Sequence, residues 1–90
     1  MNFLVVDDEY LVLQDLEDNL KKVRPESKIY GFTSANEALA FAQNQPLDAA
    51  LLDIELGYAN GLVLAKQLKD CQPAIHIIFV TSYTKYAIDA

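Results

Sequence analysis

Tryptophan is absent, cysteine occurs once, and 7 Lys and Arg stand against 13 Asp and Glu. Each shortage excludes something. A lone thiol, Cys71, cannot form an internal disulfide, so the fold must rest on its apolar core, and a reducing compartment suits it. A free thiol, buried or half-buried, is the expected role of Cys71. A net charge of −6 leaves little basic surface for a phosphate backbone, so direct nucleic-acid binding is not expected. The positives are scattered; Lys21, Lys22 and Arg24 fall at the end of a helical pattern, where they complement the helix dipole. No apolar run approaches the roughly 20 residues needed to cross a bilayer. The N-terminus also lacks the basic segment of a signal peptide. The expectation is a cytoplasmic protein away from membranes. The five Tyr and four Phe show no base-stacking spacing, and packing explains them better.

What is present is enough for one core. Ninety residues, 52% of them hydrophobic, suit a single small domain and are too apolar for disorder. Three continuous apolar runs, "FLVV" (3–6), "AALLD" (49–53) and "AIHIIFV" (74–80), read as strands covered on both faces, the habit of parallel sheets. A mixed run, "KIYGF" (28–32), suits an edge strand. Between them lie helical patterns. Leu13, Leu16, Leu20 and Val23 recur at helical spacing within 10–23. Ser34, with Glu37 three residues on, opens a second helix presenting Ala35, Ala38, Leu39 and Ala42. A third runs from about Asn60 through Lys69, with Leu62, Leu64, Ala65 and Leu68 toward the sheet. Pro25, Pro46 and Pro73 each separate a helix from the next strand. The alternation predicts a doubly wound α/β fold, with "SYTKYAIDA" opening a further helix.

In such a sheet, ligands gather beyond the carboxyl ends of the strands. Asp7 and Asp8 follow the first strand, Asp53 ends the third, and Thr81 and Ser82 follow the fourth. If the first and third strands are neighbours, the three aspartates converge. Carboxylates held together repel, and partial burial worsens it, so a cation is expected among them. Hard oxygen donors suit Mg²⁺, and a carboxylate beside that ion can attack a phosphoryl group. The plainer reading makes each acid a solvated loop residue or, for Asp8 or Glu9, a cap of the first helix. Their gathering at one edge favours the site.

"VVDDE", "LLDIEL" followed by "NG", and "FVTSY" resemble the receiver domain of bacterial two-component response regulators, in order and spacing across the whole chain. The resemblance implies a flavodoxin-like parallel sheet of strand order 2-1-3-4 and a phosphoacceptor, Asp53, served by a sensor histidine kinase. It also implies Mg²⁺ held by Asp8, Asp53 and the Glu55 backbone carbonyl, with Asp7 acting through water. Thr81 takes the place of the switch hydroxyl, Ser82 that of a small neighbour, and Glu55 and Tyr83 those of positions tuning acyl-phosphate lifetime. The ending "TSYTKYAIDA" resembles receivers joined to LytTR-type DNA-binding outputs, so control of transcription is implied. Gly57 stands where many members carry proline.

The sequence stops at Ala90, inside the implied fourth helix. A receiver domain over 1–90 without its fifth strand, that strand's lysine and the fifth helix is therefore expected; Lys85 lies too near Thr81 to replace the lysine. The uncovered fourth strand is expected to drive self-association, through its edge or by exchange of the C-terminal segment. His76, at the far end of that strand, takes a structural or surface role. Two rivals remain. A phosphatase of the haloacid dehalogenase type wants two aspartates two apart after the first strand, whereas Asp7 and Asp8 are adjacent, so a turnover enzyme is not expected. A truncated or pseudo-receiver that serves only interaction or dimerisation keeps no need for the acidic trio, but the missing lysine argues for it.

Overall fold

The computed structural model describes residues 1–57 and 59–80. Strand β1 (Asn2–Val6) is followed by helix α1 (Tyr10–Val23), β2 (Lys28–Phe32), α2 (Ala35–Ala42) and β3 (Ala49–Leu52). A short hairpin, β4 (Glu55–Leu56) and β5 (Ala59–Asn60), leads into α3 (Gly61–Cys71) and then β6 (His76–Phe79). The main sheet is parallel in the order β2-β1-β3-β6, so β1 and β3 are neighbours as expected.

Alternation along β1 explains its unbroken apolar run. Leu4 and Val6 join Ala50 and Leu52 of β3 in one buried cluster with Ala38 and Ala42 of α2 and Leu64, Ala65 and Leu68 of α3. Phe3 and Val5, buried too, point to the opposite face. Helix α1 packs against β1 and β2. Tyr30 and Phe32 of β2 enclose Phe41 of α2, with ring centroids 4.7 and 5.2 Å away.

The helix starts follow the chemistry of their caps. Ser34 Oγ accepts the Glu37 N–H at 3.3 Å, and Asn60 Oδ1 accepts the Leu62 N–H at 2.7 Å. Lys21 and Lys22 lie in the last turn of α1, and Lys21 Nζ also donates to the Ser27 carbonyl at 2.8 Å. Gln72, which caps the end of α3, ties together the amino-terminal approach to β3. Its Oε1 accepts from Leu47 N–H at 2.8 Å, and its Nε2 donates to the carbonyls of Ala42 (2.6 Å) and Gln45 (2.7 Å).

Several sequence expectations need correction. Leu62 is exposed, because the stripe of α3 that meets the sheet is Gly61, Leu64, Ala65 and Leu68 at i, i+3, i+4, i+7 and Leu62 lies off it. Val23 is exposed at the last residue of α1, beside the turn into β2. Cys71, the last residue of α3, is exposed. β6 is not covered on both faces: it pairs only with β3 among the described residues, and Ile78 and Phe79 are exposed. The expected helix in 82–90 falls outside the described residues. No helix among those described is long and apolar enough to cross a membrane.

Candidate acidic site

Register brings the acids together. Val6 lies opposite both Phe32 and Leu52, and Leu52 lies opposite Phe79, so the carboxyl ends of all four strands are level. The ladder continues one residue further: Asp7 N–H donates to the Phe32 carbonyl at 3.2 Å, Asp53 N–H to Val6 at 3.1 Å and Val80 N–H to Leu52 at 2.8 Å. Asp7 and Asp53 therefore stand side by side on adjacent strands. Carboxylate oxygens of Asp7, Asp8 and Asp53 all lie within 4.8 Å of one another.

Their surroundings differ. Asp7 is buried, Asp53 half-buried and Asp8 exposed. Burial pushes the Asp7 carboxyl above its ordinary value; the Glu9 N–H opposes this, donating to Oδ1 at 2.9 Å, and the charges of Asp53, Asp8 and Glu9 push it up again. Glu9 occupies the N-cap position of α1 without a capping bond from its side chain, so the turn is held by Asp7 instead. Asp53 Oδ1 accepts from the Glu55 N–H at 3.2 Å.

Two glycines shape the site. Gly57 has φ +64°, a left-handed conformation, and a Cβ added there would lie 3.3 Å from Asp8 Oδ2. Gly57 thus leaves Asp8 facing a recess of about 420 Å³, whose other walls include Thr33, Ser34, Leu56 and Ala59. Gly61 lies so close to the Asp53 carbonyl that a Cβ would collide with it. The β4–β5 hairpin itself was also missed. Its only signal was the "NG" of Asn60 and Gly61, which read as a helix start. Thr81, Ser82 and Tyr83 fall outside the described residues.

The donor set fits a hard divalent cation. All its members are oxygens, and three acids this close destabilise one another unless a positive charge sits among them.

The sequence matches the response regulator receiver domain over residues 3–90. It is 33% identical to the sensory transduction protein LytT of Bacillus subtilis (strain 168) over 90 residues, covering 100% of this chain and 37% of that protein. It is 28% identical to the transcriptional regulatory protein YpdB of Escherichia coli (strain K12), again over 100% of this chain and 37% of the relative. The chain thus spans well under half the length of these curated relatives. Among solved structures, a response regulator protein from Burkholderia pseudomallei, crystallised with a phosphorylated aspartic acid, a calcium ion and citrate, superposes with a TM-score of 0.81. That match is 32% identical and covers 91% of this chain and 47% of the other.

Proposed function

The chain belongs to the response regulator receiver domain family, phosphoacceptors of two-component signalling, and we propose that Asp53 is the residue that takes the phosphoryl group, beside Mg²⁺. The observation that carries this reading is the convergence of Asp7, Asp8 and Asp53 within 4.8 Å at the level ends of β1 and β3. Asp8, Asp53 and the Glu55 carbonyl would hold the ion, with Asp7 ordering its water. Bound there, a divalent cation supplies neutralising charge for the phosphoryl oxygens.

The chemistry left to the chain is nucleophilic displacement. A carboxylate oxygen of Asp53 forms a bond to phosphorus as the bond to the donor's leaving group breaks, giving an acyl phosphate. The Glu55 N–H, 3.2 Å from Asp53 Oδ1, steadies the carboxylate for that attack. By the family pattern, Thr81 is the switch hydroxyl, Ser82 keeps the approach open, and Glu55 and Tyr83 set the lifetime of the acyl phosphate. The chain promotes its own modification and is not a turnover enzyme.

The proposed donor is a sensor histidine kinase in the cytoplasm. The proposed output is transcriptional, in keeping with the names of LytT and YpdB, and is carried by a DNA-binding segment other than 1–90. That β6 pairs only with β3 among the described residues supports self-association along that edge. Sedimentation should give a species heavier than the monomer at high concentration, and a monomer throughout would defeat this part.

Intact mass tests the central claim. After incubation with Mg²⁺ and acetyl phosphate, the chain should gain a single phosphoryl group that Asp53→Asn does not acquire. The same adduct on Asp53→Asn would move the acceptor elsewhere.

A further inference from the structure

We propose that Asn60 is a positioning residue for the cation site, holding the Glu55 carbonyl in place from the far side of the β4–β5 hairpin. This rests on the Mg²⁺ reading above. Asn60 acts through backbone.

The hydrogen-bond pattern shows how. Glu55 faces Asn60 across the hairpin, and the Gly61 N–H donates to the Ile54 carbonyl at 2.7 Å. In an antiparallel pair, a bond from the residue after one member to the residue before the other marks a facing pair that exchanges no backbone bonds. The N–H and carbonyl of Glu55 therefore leave the opposite edge of β4. Its N–H reaches Asp53 Oδ1 there, and a strand residue's carbonyl leaves on the same edge as its N–H. The hairpin thus turns the Glu55 carbonyl toward the acids.

Asn60 keeps the hairpin in this register. Its backbone is extended, φ −119° and ψ 126°, as both strand pairing and an N-cap require. Its side chain locks that state by accepting the Leu62 N–H at 2.7 Å. The next residue, Gly61, is pressed against the Asp53 carbonyl. Asp53, Glu55 and the first turn of α3 are therefore fixed by one residue pair. Without the cap, the helix start and the hairpin are released together, and the Glu55 carbonyl loses its aim.

A cap that served only the helix would change stability and leave cation affinity alone. The test is a calorimetric titration of the chain with Mg²⁺, alongside the phosphorylation rate as a function of Mg²⁺. Asn60→Ala should weaken Mg²⁺ binding on the order of tenfold, as loss of a ligand's supporting contact does. Its rate at saturating Mg²⁺ should approach that of the parent. Asn60→Ser, which keeps an acceptor, should bind like the parent, and Asn60→Gly should weaken binding even if Asn60→Ala fails to fold. Equal affinities in the parent, Asn60→Ser and Asn60→Gly would overturn the proposal. A parent chain that binds Mg²⁺ no better than Asp8→Asn would instead overturn the metal reading beneath it.

Discussion

The carbonyl of Asp53 lies where a side chain on Gly61 would begin. The residue that follows β3, Asp53, and the first residue of α3, Gly61, are thus in backbone contact that a Cβ at 61 would break. Gly61→Ala must push β3 and α3 apart. Overpacking of this kind costs about 1–3 kcal/mol. Chemical denaturation should show a loss of that order, and the same displacement should slow modification of Asp53.

On the proposed Mg²⁺ reading, Asp7 should trade stability for binding. It is buried among the like charges of Asp53, Asp8 and Glu9, and among the described residues the Glu9 N–H opposes them. Asp7→Asn should therefore raise the melting temperature of the metal-free chain, by on the order of 1 kcal/mol of stability. The parent should gain about 1.4 kcal/mol when Mg²⁺ reaches ten times its Kd, and Asp7→Asn should gain less at the same concentration. A variant no more stable than the parent without metal would show that the cluster carries no strain.

Glu17 gives a pH dependence away from the site. It packs over Gly31 on β2, and burial, then the charge of Asp18, raises its carboxyl above the ordinary 4.5. The folded chain therefore holds this proton more tightly than the unfolded one. The stability it contributes is fully present below 4.5 and is lost as pH rises through the folded value. Glu17→Gln, of nearly the same shape, should be the more stable chain at neutral pH by about 0.5 kcal/mol, a small effect because the group keeps some solvent. The difference should vanish in acid, and urea denaturation at both pH values checks it.

Gln72 separates fold from function. Replacing it with Ala leaves the Leu47 N–H and the Ala42 and Gln45 carbonyls without its three hydrogen bonds. The cost should be about 2 kcal/mol, in the range for buried groups left unsatisfied. These bonds lie at the amino end of β3, away from the acids, so Mg²⁺ affinity should not change. Calorimetry with the variant and the parent checks both halves.

Much of this was readable along the chain. Unbroken apolar runs required a sheet covered by helices, the Ser34 and Glu37 pair placed the start of α2, and the position of Asp7, Asp8 and Asp53 at strand ends pointed to one acidic pocket. These are local signals, carried by residue type and spacing. Tertiary structure alone decided the rest. Which of Leu62 and Leu64 is buried depends on how α3 is rotated against the sheet, which only tertiary packing decides. That Gly57 must be left-handed beside Asp8, and that Glu55 faces Asn60 across a hairpin, follow from backbone packing between segments that no short stretch of sequence contains. Sequence named the charged groups; only the register of β1, β2 and β3 set how near they stand, and so how strongly they repel.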